Sequence, residues 1–128
     1  MEFKVQVTSL SKEDIEDIAS GIYSGCGYWC RGVKIDYKNT SEDDYKNMEY
    51  FEEKIAHALL NKEYIIFTDI EDSSQRWYLN YDRLLKGVER FISEGRCSDI
   101  GNMFDGNEDV DDMDTIIQYA LFNEVMFC

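Results

Sequence analysis

The chain has 128 residues, of which 27 are acidic and 13 basic, so its formal net charge at pH 7 is −14. This charge disfavours general binding to DNA or RNA, which depends on neutralising phosphates, and suits a protein that repels or mimics nucleic acid. Hydrophobic residues make up 44% of the chain, enough for a buried core, yet no apolar run approaches the roughly 20 residues of a membrane helix. We expect one domain over residues 1–128, without DNA, RNA or membrane as a partner.

The first elements follow from local pattern. Residues 2–8 alternate between apolar and polar side chains, as a half-buried strand does, and they lack the apolar core of a signal peptide. We therefore expect a cytoplasmic protein. Ser11 is a candidate helix cap, with Asp14 at the third helical position. The apolar side chains of this helix recur at helical spacing, at Ile15, Ile18, Ala19 and Ile22, and glycines are expected to end it, at Gly21, Gly25 and Gly27.

The segment after this helix has two interpretations. Gly25 and Gly27 precede Tyr28 and Trp29, and glycines allow a backbone to approach a ligand closely. The alternative is a helix cap followed by a tight turn. The residues alone leave both open, although the pattern of a phosphate-binding loop is missing. A strand is predicted next, with alternating side chains at Val33, Ile35 and Tyr37.

A second amphipathic helix is predicted to end near Asn61. Its apolar face comprises Tyr45, Met48, Phe51, Ile55, Ala58 and Leu59. His57, the single histidine of the chain, lies on the opposite side and is expected to be exposed. It has no obvious partner for nucleophilic catalysis.

Residues 64–67 and 76–79 are strand-like runs joined by a polar turn, which predicts a β-hairpin. Side chains alternate along a strand, which places Trp77 and Leu79 on one face and Arg76 and Tyr78 on the other. An arginine beside aromatic rings can bind a flat anionic ligand. The alternative is that Arg76 covers core aromatics with its aliphatic stem.

The rest of the chain is predicted to be mainly helical. Asn80 is a candidate cap for a helix that ends at Gly95, and residues 96–110 form a polar loop. The last helix begins near Asp111, and residues 125–127 pack as a tail. The element order β-α-β-α-β-β-α-α predicts a compact α+β domain, with about four helices packed on a small antiparallel or mixed sheet.

Metal sites are not expected. The acidic segment from Asp105 matches an EF-hand at its first positions, but Val110 replaces the required glycine and Ile116 replaces the bidentate glutamate. The cysteines are too unevenly spaced for a disulfide framework or a common zinc site: Cys26, Cys30, Cys97 and Cys128. We expect reduced thiols and no cofactor.

Four segments together resemble a known family: residues 25–29, 76–79, 81–95 and 114–122. Over most of its length the chain resembles the first family of Thoeris anti-defence proteins of phages and prophages. This resemblance implies a binding protein and not an enzyme. Such proteins sequester cyclic ADP-ribose isomers made by host TIR-domain proteins, and they form dimers or higher homo-oligomers with ligand pockets at subunit contacts. It also implies a location in the cytoplasm of the infected host cell.

The residue types suit such a ligand. Trp29, Trp77 and Tyr78 can stack on adenine, each contact contributing about 1–3 kcal/mol in nucleic-acid systems, and an arginine can form a bidentate fork with the pyrophosphate. Asp114 and Gln118 are adjacent on a helix and can accept from hydroxyl or amino groups. The predicted ligand-binding residues are Tyr28, Trp29, Arg76, Trp77, Tyr78, Asp114 and Gln118.

Other functions remain open on the sequence. From Cys97 onward the chain has eight acidic residues and no basic one, which favours an acidic inhibitor that mimics nucleic acid and blocks a protein partner. A hydrolase using paired carboxylates is a third possibility, although no pair stands out from the general acidity. The chain also has eighteen aromatic residues. Because a small core conceals that many poorly, we expect an oligomer.

Overall fold

The computed structural model describes residues 7–94 and 110–127. These residues form four α-helices, a short 3₁₀ helix and a three-stranded sheet: α1 Lys12–Gly25, β1 Cys30–Asp36, the 3₁₀ helix Glu42–Tyr45, α2 Phe51–Leu60, β2 Tyr64–Asp69, β3 Arg76–Leu79, α3 Tyr81–Ser93 and α4 Val110–Phe122. The predicted α+β class is confirmed. None of the helices in the described ranges is long and apolar enough to cross a membrane. The strand predicted at 2–8 and the loop predicted at 96–110 lie almost wholly outside the described residues.

Side-chain caps set the starts of α1 and α3. The Ser11 hydroxyl accepts from the Asp14 N–H at 3.1 Å, and the Asp14 carboxylate accepts from the Ser11 N–H at 3.2 Å. The Asn80 side chain accepts from the Arg83 N–H at 2.8 Å. Each cap satisfies a backbone donor at a helix N-terminus and typically contributes about 0.5–2 kcal/mol. Both predicted caps are confirmed.

The sheet is antiparallel, with β2 in the centre and β1 and β3 at the edges. Phe67 lies opposite Val33 and Trp77, and Ile65 lies opposite Ile35 and Leu79. This row contains the fully buried side chains of the sheet and packs into the helical core. The predicted hairpin is therefore confirmed, and its two arms alternate as expected.

The helices pack closely through glycines. α4 contacts both α1 and α3, and α1 also contacts α2. A Cβ at Gly87 would lie 2.7 Å from the Ala120 Cβ, and one at Gly21 would overlap Met113. The prediction that Gly21 helps to end the first helix is wrong, because α1 continues to Gly25 and uses Gly21 for packing against α4.

The second helix begins later than predicted. α2 starts at Phe51, and Tyr45 lies in the 3₁₀ helix before it. Local hydrogen bonds close a separate turn there: the Asp44 carboxylate accepts from the Ser41 N–H at 2.8 Å, and the Asp44 and Met48 N–H groups donate three residues back, to the Ser41 and Tyr45 carbonyls, at 3.0 Å each. The expectation that His57 is exposed is also wrong. Its side chain is half-buried, with its ring 5.2 Å from that of Tyr45.

Glu63 joins the loop after β1 to the start of β2. Its side chain is 1% exposed and accepts from the backbone N–H groups of Lys38, Asn39 and Thr40 at 2.8–3.2 Å, and from the Thr40 hydroxyl at 2.7 Å. Burial alone would raise the pKa of Glu63, but these hydrogen bonds outweigh burial and lower the pKa. The carboxylate is thus held in its charged form.

Candidate functional site

An aromatic cluster lies where residues 27–30, β3 and α4 meet. We call Trp29, Trp77 and Phe122 the aromatic cage. The cage holds the ring of Phe127, which is parallel to the Trp29 indole within 2° at a centroid distance of 5.4 Å. Phe67 stacks on the indole at 6.0 Å. Trp29 is consequently only 1% exposed.

Asp114 lies next to this cage, and we call its carboxylate the polar floor. Its carboxylate accepts from the Trp29 indole N–H at 2.8 Å, from the Tyr28 hydroxyl at 2.5 Å and from the Cys26 thiol at 3.5 Å. Burial and the Asp114 carboxylate raise the pKa of the Cys26 thiol far above its ordinary value, and they do the same to the pKa of the Tyr28 hydroxyl. Both groups therefore remain protonated donors to Asp114.

Gln118 links the floor to the segment after α4. Its side-chain oxygen accepts from the N–H groups of Met126 and Phe127 at 2.9 and 2.8 Å, and its amide nitrogen donates to the Phe127 carbonyl and to Asp114, each at 3.1 Å. Five predicted ligand-binding residues thus converge: Tyr28, Trp29, Trp77, Asp114 and Gln118. No buried side-chain nitrogen or oxygen among the described residues lacks a hydrogen-bond partner.

Arg76 and Tyr78 lie apart from this cluster. They occupy the outer face of β3, where Tyr78 is 41% exposed and its ring is 6.2 Å from that of Tyr64. Across this face Tyr78 lies in register with Ile66 and Lys34. Because side chains alternate along β3, Arg76 lies on the opposite face of the sheet from Trp77 and the cage. Ligand binding by Arg76 and Tyr78 stays a prediction.

A cavity runs beside β1, between the end of α1 and the start of α2. Its volume is about 520 Å³, and the lining includes Gly27, Cys30, Arg31, Gly32, Phe51 and Ile70. The pairing of β1 with β2 is irregular between Cys30 and Gly32, and Arg31 lies at that irregularity. Such β-bulges redirect side chains at sheet edges.

A second cavity of about 360 Å³ shares the side chains of Val33 and Phe51 with the first. We call the two together the β1 groove. Its charged residues are three cations, Arg31, Lys34 and Lys54, and one carboxylate, Glu42. None of these cations forms an ion pair with another described residue. The charge balance of the groove is therefore opposite to that of the chain as a whole.

The glycines of the groove leave space open. A Cβ added to Gly27 or Gly32 would meet no atom within 4 Å, and neither residue needs the left-handed backbone conformation. The backbone of residues 27–32 is thus accessible along part of the cavity. The segment itself is a helix cap followed by a tight turn, because the Cys26 N–H donates to the Ile22 carbonyl at 3.3 Å and the Trp29 and Cys30 N–H groups donate to the Cys26 carbonyl at 3.2 and 3.0 Å. The turn interpretation is therefore confirmed, and ligand binding by this segment stays a prediction.

Comparisons of the chain with protein families, with curated proteins and with solved structures find no significant match. The resemblance to Thoeris anti-defence proteins therefore stays a prediction. In the parts of the chain that the structure describes, no cluster of three or more His, Cys, Asp or Glu side chains could hold a metal ion.

Sequence reasoning missed the cations of the β1 groove. Arg31 directly follows the glycine-aromatic segment, and that position was the available hint. Lys34 and Lys54 are twenty residues apart and come together only because α2 starts next to β1. That proximity depends on tertiary packing and has no periodic signature in the sequence.

Proposed function

We propose that the protein binds and sequesters a cyclic ADP-ribose-type nucleotide without cleaving it, and thereby blocks TIR-based Thoeris immunity in the host cytoplasm. The β1 groove is the observation that carries this proposal. A cyclic ADP-ribose contains an adenine, two riboses and a pyrophosphate. It therefore requires cations and an aromatic face within one concave site.

The charge of the groove suits the pyrophosphate. Arg31 offers a guanidinium fork that matches two phosphate oxygens, and Lys34 and Lys54 add positive charge next to it. A strongly acidic protein repels anions at long range, so a local cluster of unpaired cations is needed for an anionic ligand to bind. The groove supplies such a cluster.

The size and lining of the groove suit the nucleoside. Small-molecule sites commonly have volumes of about 300–1,000 Å³, and the larger cavity alone has about 520 Å³. Phe51 lies at the junction of the two cavities, where it adds apolar surface to the lining. Gly27 and Gly32 let ribose or phosphate approach the backbone.

Calorimetry with cyclic ADP-ribose isomers, linear ADP-ribose and AMP tests the proposal. We expect Arg31→Ala to weaken binding of the cyclic ligand at least tenfold, whereas Lys86→Ala, on the exposed surface of α3, should leave it unchanged. Arg76→Ala decides between the two sheet surfaces. If Arg76→Ala abolishes binding and Arg31→Ala does not, the ligand lies on the outer face.

Denaturing the loaded protein and analysing the released nucleotide identifies the function. An intact nucleotide supports sequestration, whereas a cleaved one identifies an enzyme. If no nucleotide in the panel binds, the proposal is wrong, and inhibition of a nucleic-acid-binding partner becomes the function to test.

We also propose that the protein is a homodimer or a higher homo-oligomer. Several large apolar or aromatic side chains are at least 37% exposed, including Tyr50, Ile70 and Met126. Exposed apolar surface of this kind tends to form interfaces. Light scattering at micromolar concentration should give at least twice the mass of one chain, and a single-chain mass would contradict the proposal.

A further inference from the structure

The segment 123–127 folds back over the aromatic cage and inserts a single side chain. Asn123 ends α4 with a φ of 62°, and its N–H donates to the Tyr119 carbonyl at 2.9 Å. Val125 and Met126 are then 40% and 52% exposed, whereas the Phe127 ring enters the cage. The segment is therefore attached mainly at residue 127.

Gln118 holds this residue through a paired contact. The Phe127 N–H donates to the Gln118 oxygen at 2.8 Å, and the Phe127 carbonyl accepts from the Gln118 nitrogen at 3.1 Å. At the same time the phenyl ring stacks parallel on Trp29. Phe127 thus presents a flat ring for stacking and a donor–acceptor edge for an amide.

Adenine presents the same combination. Its amino group and ring nitrogen form a donor–acceptor edge that a glutamine amide recognises through two hydrogen bonds, and its ring stacks on indole. Gln118 and Trp29 are buried on α4 and beside β1, and other side chains fix both of them: Asp114 bonds to each. The recognising groups therefore hold their geometry independently of the segment that now occupies them.

We propose that the aromatic cage is an adenine subsite that Phe127 fills in the ligand-free protein, and that a purine nucleoside binds there by displacing segment 123–127. The inference rests on the proposed function for its choice of purine. Displacement exchanges one stacked ring and one amide pair for another, and it also breaks the bonds from the Met126 N–H to Gln118 and from the Tyr28 hydroxyl to the Phe127 carbonyl. Binding to the wild-type protein is therefore weak until the segment is released.

Tryptophan fluorescence measures this exchange directly. The chain has two tryptophans, Trp29 and Trp77, and both belong to the cage. In titrations with adenosine, we expect Phe127→Ala to bind at least tenfold more tightly than the wild type. Val125→Ala, an exposed position on the same segment, should stay within twofold of the wild type. Equal affinities for Phe127→Ala and Val125→Ala would overturn the inference.

A second ligand tests the proposed pair of hydrogen bonds between the Gln118 amide and the edge of adenine. Purine riboside lacks the amino group of adenine and has no N–H donor on that edge for the Gln118 oxygen. We expect Phe127→Ala to bind adenosine at least fivefold more tightly than purine riboside. Equal binding of the two nucleosides would show that stacking alone accounts for the signal and would remove the role of Gln118.

Hydrogen exchange on the wild-type protein does not depend on a variant that folds. Saturating adenosine should accelerate exchange of the Met126 and Phe127 amides, because both lose their bond to Gln118. The amides of β2 should be unchanged. Adenosine binding with no change at residues 126 and 127 would overturn the inference.

The same nucleoside separates this inference from the proposed function. Adenosine has no phosphate, so Arg31→Ala should leave its binding unchanged even where that variant no longer captures a cyclic nucleotide. Failure of every phosphate-containing ligand to bind, together with adenosine-dependent release of residues 126 and 127, would reject the proposed function and retain the subsite.

Discussion

The aromatic cage and the β1 groove lie on two sides of one short segment, yet they differ in how their polar groups are satisfied. Trp29 points into the cage, where Asp114 and Gln118 bond to described residues on every side. Two residues later Arg31 lines the groove, and it forms no ion pair with the described residues. The polar groups of the cage are thus satisfied within the chain while residue 127 occupies it, whereas the cations of the groove are available to a ligand without any displacement.

The largest expected effect is a loss of stability in the cage, for which the exposed outer face of the sheet serves as the control. Trp29→Ala removes a fully buried indole and its contacts with Phe67 and Phe127, so we expect the free energy of unfolding to fall by about 3–5 kcal/mol. Tyr78→Ala removes an exposed ring from the outer face of the sheet and should cost less than about 1 kcal/mol. Urea denaturation measures both. A small loss for Trp29→Ala would mean that the cage is not part of the core.

Substitution of Asp114, the polar floor of the cage, should lower the free energy of unfolding nearly as much. Asp114→Asn keeps the shape of the side chain but removes the charge that strengthens the bonds from Trp29 and Tyr28, at an expected cost of about 2 kcal/mol. Glu124→Gln makes the same chemical change at an exposed position and should be neutral. Chemical denaturation of the two variants gives the comparison, and equal stability would show that the buried charge contributes nothing.

Two glycines allow a close-packed position between helices to be compared with an open position in the groove. Gly87→Ala should destabilise the protein by about 1–3 kcal/mol, because the new methyl group would press on Ala120 and on the Ile116 carbonyl of α4. Gly27→Ala should leave stability within about 0.5 kcal/mol of the wild type, since its Cβ meets no atom within 4 Å. Thermal unfolding measures both changes.

Larger residues at Gly27 then test the groove itself. Gly27→Leu should fold normally and bind the cyclic nucleotide at least tenfold more weakly, because the side chain occupies part of the cavity. Undiminished binding by a folded Gly27→Leu protein would place the nucleotide outside the groove.

The smallest expected effect is on the pH dependence of stability. It concerns Glu63, which holds the loop of residues 38–40 next to Tyr37, and Tyr37 lines the groove. The pKa of Glu63 is lower in the folded protein than its ordinary value of 4.5, so Glu63 stabilises the fold above that value. This stability is lost as the pH falls from there through the folded pKa. Glu63→Gln should cost about 1 kcal/mol near neutral pH and should flatten the acid limb of the stability curve. Denaturation between pH 7 and pH 3 tests this, and an unchanged slope would contradict it.

Helix caps and strand faces could be predicted from the sequence, because each depends on only a few neighbouring residues. The Ser11 and Asn80 caps were predicted because a side chain and the backbone donor it satisfies are three residues apart. The two faces of β3 were predicted because side chains alternate along any strand. The start of α2 was not predicted, because the Ser41–Asp44 cap and bonds between residues three apart form a separate 3₁₀ turn before it.

The sequence by itself determined which residue types could form a nucleotide site and how each lies on its own helix or strand. Only the tertiary structure decided that Asp114 and Gln118 bond to Trp29 and to residue 127, and that three cations without an ion pair to the described residues line one groove between β1 and α2. The physical reason is that burial and hydrogen-bond satisfaction depend on partners distant in sequence. Asp114 and Trp29 are 85 residues apart, and no local pattern encodes the distance between them.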